Sequence, residues 1–160
     1  MLKIGGLSLA AALAVGCTAL PGATSSDLAG ISYETGPCFG ACPVYRLSVR
    51  PSGQATFEGR RDTAVAGTRN FTVTPAQFDA LAAHLAPLRP SSGSIRYSGE
   101  VCEMMATDLP SAEVVWEPRS GTPQSLYFYH GCDMEKNAAI ADRLRAVPEV
   151  IGIGELVGRR

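Results

Sequence analysis

Charge of a single sign is missing from this chain. Its 14 lysines and arginines stand against 15 aspartates and glutamates, for a net charge of −1, and no stretch gathers the basic ones into a patch. Nucleic acid is held largely by cations set against its phosphates, so this balance excludes it as a partner. Also missing are the G-x-S-x-G of a nucleophile elbow, the glycine-lysine loop that cradles nucleotide phosphates and the G-x-G-x-x-G of dinucleotide sites. No internal repeat and no low-complexity block occurs. No catalytic residue is assigned from the sequence, and no cofactor is expected.

What is present begins at the N-terminus. MLK supplies a positive start, IGGLSLAAALAVG (4–16) is apolar, and Cys17 follows at once. The run is too short to span a bilayer comfortably and reads as an export signal. Its end, LAVGC, resembles a bacterial lipobox, with Ala14 where leucine is most usual; ordinary secretion with cleavage near Ala23 is the alternative. On the lipobox reading, residues 1–16 are a signal peptide. Cys17 becomes the lipidated first residue, and its acyl chains (palmitate among them) anchor the protein to a membrane. Thr18, rather than aspartate, then favours the outer membrane of a Gram-negative envelope, facing the periplasm. Residues 17–30, with TALPGATSSDLAG after the cysteine, read as a flexible tether. Residues 31–160 suffice for a single domain.

Segment 44–50, VYRLSVR, alternates Tyr45, Leu47 and Val49 with Arg46, Ser48 and Arg50, the period of a half-buried strand. Pro51-Ser52-Gly53 is a turn, and QATFEGR continues with Ala55 and Phe57 inward. Further strands are expected at 31–35, 68–73, 112–117 and 124–130, the last two joined by PRSGTP. Thr74, Pro75 and Gln77 fit a capping box, opening a helix in which Phe78, Leu81, Ala82 and Leu85 form one stripe. His84 lies off that stripe and is expected at the surface. Residues 90–111 read as a long irregular loop. Asp133 is expected to cap a second helix over 134–146, with Met134, Ala138, Ile140, Ala141 and Leu144 buried and Pro148 ending it. The tail 149–157 is left as a strand or an irregular return. The order predicts an α+β fold: an antiparallel sheet of five to six strands built from hairpins, with two helices on one face.

Cys38, Cys42, Cys102 and Cys132 remain once Cys17 is set aside, an even number in an exported chain, which is the signature of two disulfides. Three pairings are possible. Cys38 with Cys42 and Cys102 with Cys132 is favoured, because the larger loop-closure gain then falls on the long loop that needs fixing. Two functional alternatives stand beside this. CFGACP resembles the CxxxCP copper site of the synthesis factors for cytochrome oxidase, so Cys38, Cys42 and His130 could hold Cu(I) or support thiol redox chemistry. Those factors have a helix after the cysteines, whereas a strand is expected here. Zinc on Cys38, Cys42, Cys132 and His130 is conceivable by ligand type.

Asp108 in TDLP reads as turn chemistry, Glu113 and Glu117 as strand residues facing solvent, and Glu100 and Glu103 as a solvated pair. Trp116 is expected in the core. Tyr127, Phe128 and Tyr129 put rings on both faces of one strand, so the tyrosines could mark a contact surface.

GPCFGACPVYRLSV, the PSG turn and TFEG together resemble a bacterial envelope domain family of unknown function with a CFGxCPxY signature, whose members are often lipoproteins. The likeness extends over roughly 31–157. It implies a bond between Cys38 and Cys42, because members often carry only that pair, and it supplies no reaction. The reading is a lipid-anchored envelope domain that binds or supports a protein partner without chemistry. Metal handling or thiol redox is the first alternative, and inhibition of an envelope enzyme the second.

Overall fold

Alternation along 44–50 and 54–60 does build paired strands. The computed structural model describes residues 25–158; the expected signal peptide and Cys17 lie outside the described residues. After a 3-10 turn at Ser25–Asp27 the strands are β1 (Leu28–Thr35), β2 (Val44–Val49), β3 (Gln54–Arg61) and β4 (Gly67–Thr72). Helix α1 (Pro75–Leu85) follows, then β5 (Ser94–Tyr97), β6 (Ser111–Pro118), β7 (Gln124–Tyr129), α2 (Ala138–Arg145), α3 (Val147–Ile151) and a closing turn of helix, α4 (Gly154–Val157). All seven strands form one sheet in the order β4-β3-β2-β1-β6-β7-β5.

The α+β class is as expected, but the sheet is larger and not wholly antiparallel. Serine 94 to tyrosine 97, inside the stretch read as irregular, pairs parallel with β7 (Ile95 with Leu126, Tyr97 with Phe128). Strand β1 also starts earlier than the expected boundary at 31, since Leu28 pairs with Pro118 and Gly30 with Glu117. The ordered domain therefore takes in the end of the segment read as tether.

One face of the sheet carries the core. Tyr45, Leu47 and Val49 of β2, Phe57 of β3, Val114 and Trp116 of β6 and Phe128 of β7 are all buried there with the helix stripe Phe78, Leu81 and Leu85. Each such aliphatic or aromatic side chain contributes about 2 kcal/mol on burial. The capping box forms as written, with the Gln77 N–H donating to Thr74 Oγ1 (3.2 Å) and the Thr74 N–H to Gln77 Oε1 (2.8 Å). On the opposite face the polar members of the same alternation meet, and Glu34 takes ion pairs from both Arg46 and Arg60. Among the described residues no helix is long and apolar enough to cross a membrane.

The second helix starts at Ala138, not 134, and the tail forms α3 and α4 rather than a strand. Asp133 is not its cap. Its carboxylate turns instead toward the loop before β6, and Met134 and Ala138, expected inside, are exposed. Only Ala141 and Leu144 of the expected stripe are fully buried in α2. Pro148 opens α3 instead of closing α2.

Candidate functional site

The sheet has two unlike ends. Strand β1 enters at the end formed by the turns 50–53 and 118–124, where Arg89 pairs with Asp27 (2.9 Å) and the Arg119 N–H donates to the Asp27 carbonyl (2.8 Å). The opposite end, where β1 leaves at Thr35, collects the loops 36–43, 98–110 and 130–137 and with them both cysteine pairs.

Cys38 is bonded to Cys42 (Cα–Cα 5.8 Å) and Cys102 to Cys132 (Cα–Cα 5.3 Å). The first bridge closes a small loop laid against the start of β6. Gly36 N–H donates to the Ser111 carbonyl (2.8 Å) and Phe39 N–H to that of Asp108 (3.2 Å). Thr35 Oγ1 donates to the Pro43 carbonyl (2.8 Å) and accepts from Tyr45 N–H (3.1 Å), fixing the return into β2. Val44–Val49 is a strand, so the segment that follows these cysteines brings no helix N-terminus to their sulfurs. The tip, Phe39, stands 88 % exposed.

The second bridge ties the long loop to the end of β7, and the backbone adds to it. Met105 pairs with Cys132 in an isolated antiparallel bridge, and Ala106 N–H donates to the Gly131 carbonyl (2.9 Å). Gly131 is required by this crossing, because a Cβ there would collide with the Ala106 carbonyl oxygen. Asp133, at a left-handed φ of 43°, accepts from Met104 N–H (2.7 Å) and Glu103 N–H (3.2 Å).

His130 does reach the neighbourhood of Cys42. Both line a cavity of about 140 Å³ with Tyr33, Thr35, Tyr45 and Arg145. His130 is only 5 % exposed, and its Nδ1 has no hydrogen-bond partner among the described residues. Burial first, and the charge of Arg145 second, lower its pKa to about 4, so the ring is neutral at physiological pH. Cys42 meets it as a disulfide sulfur rather than a thiolate. Among the described residues no three His, Cys, Asp or Glu side chains converge to hold a metal.

The other candidates fall into structural places. Asp108 holds a turn at φ 68°, with its carbonyl receiving Phe39. Trp116 is fully buried in the core, and its Nε1–H has no partner among the described residues. His84 braces α1 to α2, with Nε2–H donating to the Arg143 carbonyl (2.7 Å). Tyr127 lies under the Arg96 guanidinium (3.9 Å to the ring centroid), and Tyr129 Oη accepts from Leu109 N–H (3.3 Å). Glu113, Glu117 and Glu100 are exposed, and Glu103 pairs with Lys136.

Sequence reasoning missed the apolar side chains that these loops hold in solvent. Besides Phe39 they are Val101 (64 %), Met104 (73 %), Met105 (52 %) and Met134 (50 %), all at the disulfide end. The signal was in the sequence: apolar residues inside a stretch with no strand or helix period have no core face to occupy. A family model described as domain of unknown function (DUF6438) matches residues 29–149, and the chain belongs to that family. No curated protein and no solved structure matches it.

Proposed function

We propose that this family member is a lipid-anchored module of the cell envelope. In this reading it performs no chemistry and binds a protein partner through the end of the sheet opposite its N-terminal approach. The observation that carries the reading is the segregation of features between the two ends. The chain enters at one end, while both disulfides and the exposed Phe39, Val101, Met104, Met105 and Met134 gather at the other. Rigid loops presenting apolar side chains suit association, since little conformational entropy is left to lose on binding. The lipobox-like LAVGC supports Cys17 as the acylated residue, and Thr18 after it supports the outer membrane facing the periplasm. The resemblance at CFGxCPxY to envelope domains that are often lipoproteins agrees with an anchored position.

Two experiments test this. Metabolic labelling with a palmitate analogue should mark the protein, and Cys17→Ser should remove the label and release the chain from the membrane fraction; labelling that survives the substitution defeats the anchor. A photo-crosslinking residue placed at 39 should trap a defined partner in the native envelope, while one at 52, in the opposite turn, should not. Equal trapping from both ends, or none from 39, defeats the binding surface. If the trapped partner is a protease or other hydrolase, the module acts as an inhibitor.

A further inference from the structure

All the sulfur not locked in disulfides within the described residues lies in one place. The sequence has four methionines. Apart from Met1 they are Met104, Met105 and Met134, and these three line a single surface concavity of about 710 Å³. None is needed to fill the core, which closes without them. Yet the backbone beneath them is held by a disulfide, a β-bridge and the paired oxygens of Asp133. A fixed base thus carries three unbranched thioether arms, each with enough rotatable bonds to swing toward a common point.

The charges of this concavity choose between occupants. Glu103, Asp133 and Glu135 face a single Lys136, whose Nζ is already engaged by Glu103 at 3.1 Å. An apolar peptide would have to desolvate those carboxylates, which is costly. A cation gains from them. Thioether sulfur is a soft donor that prefers Cu(I) to hard or borderline ions. Unlike thiols, thioethers are not consumed by the oxidation that closes both cysteine pairs. The sulfurs of Cys38 and Cys42 are unavailable for the same task, being bonded to each other.

We propose that Met104, Met105 and Met134 form a binding site for one soft monovalent d10 cation, Cu(I) or its redox-inert counterpart Ag(I). The three thioethers coordinate it, and Glu135, together with the net negative charge left by Glu103, Asp133 and Lys136, supplies the attraction that brings it in. Asp133 spends both oxygens on backbone N–H groups and acts as the positioning residue of the loop. The site takes Met104, Met105 and Met134 out of the partner surface proposed above and leaves that surface Phe39 and Val101, and it stands whether or not a partner binds them.

The test uses the Cys17→Ser chain, which removes the one cysteine outside the two bridges and its competing affinity for silver, with its disulfides intact, no reductant, and methionines labelled with ¹³C at the ε-methyl. On titration with silver nitrate, the methyl resonances of Met104, Met105 and Met134 should shift together and stop moving at one equivalent. A Met104→Leu/Met105→Leu/Met134→Leu variant, close in volume at each position, should lose silver binding by calorimetry. Resonances unmoved by excess silver, movement of only one of the three, or undiminished binding to the triple variant would each overturn the site. So would methyl shifts produced by an apolar peptide but not by silver.

Discussion

Asp133 accepts the backbone N–H groups of Met104 at 2.7 Å and of Glu103 at 3.2 Å, reaching across the chain to hold the loop that precedes β6. The carboxylate expected to start a helix is thereby the clasp of a loop. Asp133→Ala removes both acceptors and puts alanine at a positive φ, and it should cost roughly 2 kcal/mol. Asp133→Asn keeps one acceptor and tolerates the backbone, so it should lose about half as much. Denaturant unfolding gives the cost, and faster hydrogen exchange at the Glu103 and Met104 amides shows where it falls.

The two disulfides should differ in what they stabilise. Cys102–Cys132 closes a segment of sequence separation 30 and Cys38–Cys42 one of separation 4. On the chain-entropy account, removing the first by serine substitution should cost nearly 4 kcal/mol and removing the second roughly 2 kcal/mol. Urea midpoints of the two double variants check the order, and a larger loss from the short loop would contradict it.

His130 should make the domain sensitive to mild acid. Its pKa is about 4 in the folded chain and near the ordinary value of 6.5 once unfolded, so the unfolded state binds the proton first. Stability from this group is therefore intact above about pH 6.5 and falls as pH drops toward 4. Between pH 8 and pH 5 the loss should be about 2 kcal/mol. His130→Gln, which has nothing to protonate there, should flatten that part of the curve. Unfolding free energies of the two proteins at both pH values decide it.

Thr74→Ala should weaken the first helix by about 1 kcal/mol, because the Gln77 N–H loses its side-chain acceptor. Thr74→Ser, which keeps the hydroxyl, should sit close to the parent in the same thermal scan.

Elements whose cause is local could be read from the chain. Tyr45, Leu47 and Val49 announce a strand because one sheet face is buried, and Thr74 and Gln77 announce a helix start because both partners lie within one turn. Cysteine parity and loop length likewise pointed to the pairing found. What could not be read depends on distant partners. Strand β5 has four residues, of which only Tyr97 packs against the core, and its ladder is supplied by β7. The Asp133 error has the same origin: an aspartate before apolar residues is the same local signal whether its oxygens meet the next turn or a remote loop. The methionine concavity was hidden for this reason too, since Met104 and Met105 meet Met134 only once the second bridge and the bond between Ala106 and Gly131 join their segments.

Strand β1 is the first strand of the described residues and lies in the middle of the sheet, with β2 on one side and β6 on the other. Tension between the N-terminal approach and anything gripped at the far end therefore runs along the axis of a strand laddered on both edges. Both rows of hydrogen bonds would have to slide together instead of opening one at a time like a zip. A domain loaded through its middle strand is mechanically a shear joint, which is the arrangement the proposed anchor and partner would call for.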